Sequence, residues 1–326
     1  MVSNMSMRSE RRRFVRAALA GLAAATTPGW LACATEGPSG PGAPAAPRVD
    51  DGRTPPRRPA SRWPTAFVGH GAPLLAIDPA RGAPLRAWGT ALGAPRAVLV
   101  LSAHWERAPL TVGTTQTRPL VYDFGGFSER LYQVRYAAPG APWLAERVEA
   151  LARAAGLPTA REPARGLDHG VWTPLVHLYP DANVPVLQVS LPTAPRGATR
   201  DAGDARRLFA LGRALAPLRE EGVLLLGSGN VTHNLRRVVW AEDATPETWA
   251  SEMDAWTREV LRSRDFDALL DYRARAPAFA LAHPTEEHWL PLIVVAGAAS
   301  TTWGEVRFPV EGWEFGNLSR RAVEFA

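Results

Sequence analysis

The hydrophobic positions of this chain fall into two patterns. Short runs rich in Val, Leu and Ile occur at Thr65–Gly69, Ala97–Ser102, Val186–Leu191, Val223–Gly227 and Leu292–Ala296. Their length and β-branched content predict buried strands. Between them, apolar residues return at helical spacing over Ala141–Gly156, Ala202–Arg219 and Thr245–Leu270. The last segment opens on Thr245-Pro246-Glu247, a favourable helix start. A further helix is expected to begin after the Gly227-Ser228-Gly229-Asn230 turn. Strands alternating with helices predict an α/β fold. The expected form is a single domain over 64–326, with a central, mostly parallel or mixed sheet flanked by helices. In such sheets a ligand site, here a metal site, lies beyond the carboxyl ends of the strands.

The first 63 residues follow neither pattern. Arg11-Arg12-Arg13-Phe14-Val15-Arg16 precedes an apolar stretch from Ala17 to Ala25 and the small residues Ala32-Cys33-Ala34. A charged region, a short apolar segment and small residues describe a secretory leader over residues 1–34. The arginine pair with Phe14 points to twin-arginine export. The protein would then use the twin-arginine machinery and be periplasmic or lipid-anchored at the cell envelope. Cys33 reads either as a lipidated first residue, giving a membrane tether, or as a residue near an ordinary cleavage site. Residues 35–63 are rich in Pro, Gly, Ala and Arg and read as a linker. Beyond residue 35 no apolar run reaches the ~18–20 residues needed to span a bilayer.

Charge and composition remove several function classes. The formal net charge is +5, and residues 1–33 hold five arginines and one glutamate. The rest of the chain is therefore nearly neutral, and no nucleic-acid partner is implied. All 37 basic residues are arginine. Without lysine there is no Walker-type P-loop, Schiff base or pyridoxal chemistry. The single cysteine excludes an internal disulfide, a Cys-based zinc site and an iron–sulfur cluster. A metal here must be held by histidines and carboxylates.

Seven histidines are present. His70 stands between two glycines after an expected strand, where glycine permits close approach of a ligand. His104 follows a strongly apolar strand, and His233 follows the Gly-Ser-Gly-Asn turn. His169 lies in the loop Gly166-Leu167-Asp168-His169-Gly170, and His288 in Pro284-Thr285-Glu286-Glu287-His288 ahead of an apolar segment. These five are the candidate site residues. His177, flanked by apolar residues, reads as a core histidine, and His283 as a loop or helix-start residue. Neutral imidazoles suit Zn(II) and Fe(II). No compact His-Glu-x-x-His signature occurs, so the ligands would be gathered from across the chain.

Seven segments, in this order, make the chain resemble the class III extradiol ring-cleavage dioxygenases (the LigB-like superfamily), nearest the 4,5-DOPA dioxygenase branch. They are Gly69-His70-Gly71-Ala72-Pro73; Ser102-Ala103-His104-Trp105; Asp123-Phe124-Gly125-Gly126-Phe127; Leu131-Tyr132 with Tyr136-Ala137-Ala138-Pro139-Gly140; Asp168-His169-Gly170; Gly227-Ser228-Gly229-Asn230 with His233-Asn234-Leu235; and Pro284-Thr285-Glu286-Glu287-His288 with Leu290-Pro291-Leu292. The resemblance implies an α/β fold with one non-haem divalent metal, Fe(II) for dioxygenase activity or Zn(II) as in related proteins. It implies a catechol substrate such as DOPA, with O2 as co-substrate. His70, His104 and His288 match metal-ligand positions, with Glu287 an alternative to His288. His233 matches a residue described as either a further ligand or the acid–base group. His169 matches a pocket histidine that contacts substrate or oxygen. Trp105, Phe124 and Phe127 are candidate aromatic walls. A zinc hydrolase on the same histidines and a non-catalytic binding protein of the same superfamily are the competing readings, and a homodimer is left open.

Overall fold

The computed structural model describes residues 62–193, 203–241 and 243–326. The expected export signal, Cys33 and most of the expected linker lie outside the described residues. Arg62 and Trp63, at the linker's end, are described. The buried Trp63 exchanges two hydrogen bonds with Arg219: its N–H donates to the Arg219 carbonyl (2.9 Å), and its own carbonyl accepts from Arg219 Nε (2.7 Å).

Ten strands are present among the described residues. They are β1 (Thr65–Gly69), β2 (Ala97–Glu106), β3 (Leu110–Val112), β4 (Thr159–Arg161), β5 (Val186–Leu191), β6 (Val223–Gly229), β7 (Val306–Arg307), β8 (Trp313–Glu314), β9 (Leu318–Ser319) and β10 (Ala322–Phe325). Eight of them form one mixed sheet in the order β4-β3-β5-β2-β6-β1-β10-β7. Its centre, β5-β2-β6-β1, is parallel, whereas β10 and β7 add antiparallel at one edge. β8 and β9 form a separate antiparallel hairpin.

The main helices are α1 (Pro79–Leu92), α2 (Pro142–Ala154), α3 (His169–Leu178), α4 (Gly203–Leu215), α5 (Thr248–Ser263) and α6 (Leu290–Ala299). The central strands are buried on both faces, so they read as continuous apolar runs. Alternation divides them between two cores. Leu99, Leu101 and Leu225 face the core built with α2, α4 and α6. Val98, Val100, Leu224 and Leu226 face the core built with α1 and α3.

Three expectations need correction. Leu292–Ala296 lies inside helix α6, not in a strand. All ten residues of α6 are buried, so no polar face marks a period. Close packing on α4 is possible because both helices carry glycine at the contact: a Cβ at Gly212 would collide with the Val294 carbonyl, and one at Gly297 with the Phe209 carbonyl. Second, the expected helix over Thr245–Leu270 breaks at Arg264, which adopts a left-handed backbone (φ 60°). A new turn, Phe266–Leu270, starts on Asp265, whose side chain accepts the Ala268 N–H (2.8 Å). Third, no helix begins after Asn230. The Thr232 hydroxyl donates to the Asn317 carbonyl (2.6 Å), and the Asn234 side chain donates to the Leu281 carbonyl (2.7 Å). The first bond ties the segment to the β8–β9 hairpin and the second to the helical turn Phe279–Ala282, and both compete with helix formation.

Candidate metal centre

The carboxyl ends of β2, β6 and β1 lie side by side, and the candidate histidines gather beyond them. His70 directly follows β1. His104 is among the last residues of β2, His169 opens α3, His233 follows β6, and His288 closes a short turn (Glu286–His288) before α6. All five line one cavity of about 180 Å³. His70, His104 and His233 thus stand at or just beyond strand ends, whereas His169 and His288 reach the same cavity from a helix start and a short turn.

The ring centroids of His70, His104 and His288 stand 5.1, 5.2 and 5.0 Å apart, a nearly equilateral triangle. His169 is 4.0 Å from His104 and 5.5 Å from His70. His233 stacks on His288 at 3.4 Å with an interplanar angle of 11°. Potential ligand atoms of His70, His104 and His169 lie within 4.8 Å of one another, as do those of His233, Glu287 and His288.

Hydrogen bonds fix which ring nitrogen carries the proton. The Ser228 hydroxyl donates to the Gly170 carbonyl, so its oxygen receives the Nδ1–H of His70 (3.0 Å). Asp123 takes the Nδ1–H of His104 on one carboxylate oxygen (3.1 Å) and that of His169 on the other (2.8 Å). The second oxygen also accepts the His169 backbone N–H (3.1 Å). His288 directs Nδ1–H at Glu287 (3.2 Å), whose same oxygen accepts the Thr285 hydroxyl (3.0 Å). Four imidazoles are thereby set with Nε2 as the lone-pair atom. His70 and His104 aim these atoms at each other across 3.2 Å. Two lone pairs that close repel unless a cation stands between them, so the donor set fits a divalent metal. Carboxylate- or hydroxyl-held imidazoles are the usual support for such a centre.

The electrostatics agree. Burial, reinforced by His104, His169 and His233, pushes His70 well below the ordinary histidine pKa. Burial likewise lowers His169, with repulsion from His104 adding to it and Asp123 opposing. Both rings are neutral at pH 7, as ligands or proton acceptors must be. Burial alone would raise the Asp123 carboxyl, but the bonds from His104 and His169 hold it far below the usual range.

A second layer steadies these loops. Buried Asp168 accepts the Ser102 hydroxyl (2.8 Å), the Gln188 amide and Arg165 Nη2 (3.2 Å), and Arg165 also donates to the His104 carbonyl (3.2 Å). Glu314, in the β8–β9 hairpin, accepts the Ala72 N–H (2.8 Å) and pairs with Arg320 (2.6 Å), holding the turn after His70. Of the expected aromatic walls, Phe124 and Phe127 line the cavity. Trp105 does not. Its strand neighbour His104 faces the site, so Trp105 points to the opposite face of β2, with the Arg165 guanidinium 5.1 Å over its ring. His177 is a core residue, as expected, bonded through Nε2 to the Leu75 carbonyl (2.7 Å), and His283 is buried on the Val231 carbonyl (2.8 Å). Sequence reasoning assigned no role to Asp123, Ser228 or Trp240. Asp123 carried the one usable signal, an acidic residue opening the Asp-Phe-Gly-Gly-Phe segment.

Comparison with known proteins places this geometry. Residues 82–325 match the family of the catalytic LigB subunit of aromatic ring-opening dioxygenase. The 4,5-DOPA dioxygenase extradiol of Beta vulgaris is 36% identical over 266 residues, covering 80% of this chain and 96% of that protein. The protein of the same name from Escherichia coli K12 is 38% identical over 273 residues, covering 81% and 95%. A crystal structure of an uncharacterized Escherichia coli K12 protein superposes with a TM-score of 0.67 at 34% identity, covering 81% of this chain and all of that one. With the family match spanning most of the described fold and the histidine cluster at its strand ends, the chain belongs to the LigB family of extradiol aromatic ring-opening dioxygenases.

Proposed function

We propose that this enzyme opens a catechol ring beside its diol, using one Fe(II) held by His70, His104 and His288, with His233 as the general base. The observation carrying the ligand assignment is the even triangle of those three rings, with Nε2 of His70 and His104 converging. A divalent metal bound there supplies Lewis acidity toward the phenolic oxygens and open coordination positions. His233 flanks the triangle by stacking on His288 and lines the cavity. It is placed to take a phenolic proton, which as general-base help contributes on the order of 10²–10⁴-fold. His169, its Nδ1–H anchored on Asp123, presents its other nitrogen as an acceptor beside the substrate and oxygen. Both atoms of O2 enter the product as the ring C–C bond next to the diol breaks, giving a coloured semialdehyde. The relatives' names make DOPA a first compound to assay.

The test uses protein prepared without oxygen and loaded separately with Fe(II) and Zn(II), following O2 uptake and visible absorbance with a catechol panel. Iron-dependent uptake with a yellow product is expected. Metal binding without uptake on any catechol overturns the reading in favour of a zinc hydrolase. His233→Ala is expected to keep metal and lose turnover; loss of metal would make His233 a fourth ligand instead. We also propose export by the twin-arginine route, supported by Arg11-Arg12 and the apolar stretch that follows. Cell fractionation with an Arg11→Lys, Arg12→Lys variant tests it, and an unchanged envelope location would refute it.

A further inference from the structure

Away from the histidines, the cavity continues between apolar walls. Phe124 sets its ring edge-on to His169, with centroids 5.5 Å apart. Phe127 stands 5.7 Å from Phe124, and Trp240 is 6.1 Å from Phe127. Leu235 completes the lining and is 47% exposed, which places it at the mouth. Gly125 lies between the two phenylalanines and also lines the cavity. Gly125 is exposed and a Cβ built there would meet no atom within 4 Å, so a side chain at this position would stand in the open mouth of the cavity rather than against the fold. Among the described lining residues the one carboxylate is Asp123, and both its oxygens already accept imidazole N–H groups.

We infer that this aromatic annex selects the substituent on the catechol ring, favouring a neutral apolar group over an amino-acid or other carboxylate side chain, and that Gly125 sets the size it admits. The inference rests on the catechol reading above. A diol held at the histidines directs its ring substituent along Phe124 and Phe127 toward Trp240 and Leu235. An alkyl or aryl group there leaves water for an apolar surface. A carboxylate there would give up hydration between two aromatic faces and lie near the Asp123 carboxylate. Burial without a partner and like-charge repulsion both disfavour it.

Four ligands separate the contributions: catechol, 4-propylcatechol, 3-(3,4-dihydroxyphenyl)propionate and DOPA. The second and third share a two-carbon arm that ends in a methyl in one and in a carboxylate in the other. Equilibrium binding to the metal-loaded enzyme is measured by calorimetry without oxygen, and kcat/KM by O2 uptake. Two- to fourfold tighter binding per methylene puts 4-propylcatechol about tenfold or more ahead of catechol. The propionate and DOPA are expected at least about tenfold behind 4-propylcatechol. Gly125→Val, which fills open space, is expected to cut the 4-propylcatechol to catechol ratio by about tenfold. Trp240→Ala is expected to reduce the same ratio by about three- to tenfold. DOPA or the propionate equalling 4-propylcatechol in affinity overturns the inference, as does an unchanged ratio in both variants. Turnover with the reversed order sinks this inference alone. Absence of turnover on all four sinks the catechol reading, and the affinities still decide what the annex prefers.

Discussion

Asp123→Asn isolates the role of a single carboxylate in preparing the metal centre. The side chain keeps its shape but offers one acceptor oxygen and one NH2 in place of two acceptors. The oxygen nearer His169 accepts two donors, the ring Nδ1–H and the backbone N–H, at 2.8 and 3.1 Å. The amide oxygen will settle there. The amide NH2 then faces Nδ1 of His104, which must become an acceptor and move its proton to Nε2. That proton would lie on the 3.2 Å line to Nε2 of His70. An N–H···N hydrogen bond replaces the two converging lone pairs, and one ligand is lost until the tautomer is reversed. Outer-shell changes of this kind cost about 10–100-fold in metal affinity, or roughly 1.4–2.8 kcal/mol. Each charge-assisted bond to Asp123 is worth about 1.5–3 kcal/mol, so the figure is in proportion to what is removed. Chelator-competition titration with Zn(II) gives the affinity, and 15N spectra of the metal-free protein report the His104 tautomer. Thermal melting controls for the fold. A folded variant that binds within about threefold of wild type, with His104 still protonated on Nδ1, would refute the argument.

Three further substitutions probe the scaffold. In Gly82→Ala the new methyl would collide with the His177 ring, itself pinned on the Leu75 carbonyl. Overpacking between α1 and α3 is expected to cost about 1–3 kcal/mol in denaturant unfolding, and an unchanged midpoint would contradict it. The buried Arg219 guanidinium donates to the carbonyl of Trp63 (2.7 Å) and the Thr302 hydroxyl (2.6 Å), with longer contacts to the Ala298 and Phe325 carbonyls. Arg219→Met strands those acceptors and should cost about 2–4 kcal/mol, with faster amide exchange first in β1 and β10; uniform exchange rates would tell against the clamp. Burial pushes the pKa of His283 down to about 4, against 6.5 when exposed. Between those values the unfolded chain binds the proton and the folded one does not, so stability present above pH 6.5 is lost as the pH falls. The expected loss is about 2–3 kcal/mol by pH 4.5. His283→Gln should flatten that slope, whereas parallel acid titrations of the two proteins would sink the assignment.

How much of this was legible in the sequence follows from what each signal depends on. Strands β1 and β5 appear over the expected residues because their apolar runs are bounded by turn residues on both sides. The strand reading of Leu292–Ala296 failed for the opposite reason: a segment buried on every side has no period to read, and length alone separates helix from strand there. The short strands β7 to β10 contain two to four residues and exist through their partners, so no local pattern announces them. Yet the β8–β9 hairpin holds two of the histidine-bearing loops, that of His70 through Glu314 and that of His233 through Asn317. Three of the candidate histidines, His70, His104 and His233, were legible because strand ends in an α/β sheet converge, which is a property of topology, whereas His169 and His288 stand at a helix start and in a short turn and were marked only by the segments around them. Their supports were not. Asp123 lies 19 residues beyond His104 and 46 before His169, in a loop with no periodicity, and only the folded chain brings its two oxygens between those rings. The tautomers, and with them the capacity to hold a cation, are therefore properties of contacts across the fold. Sequence names the atoms able to ligate; the long-range partners of Nδ1 decide which of them do.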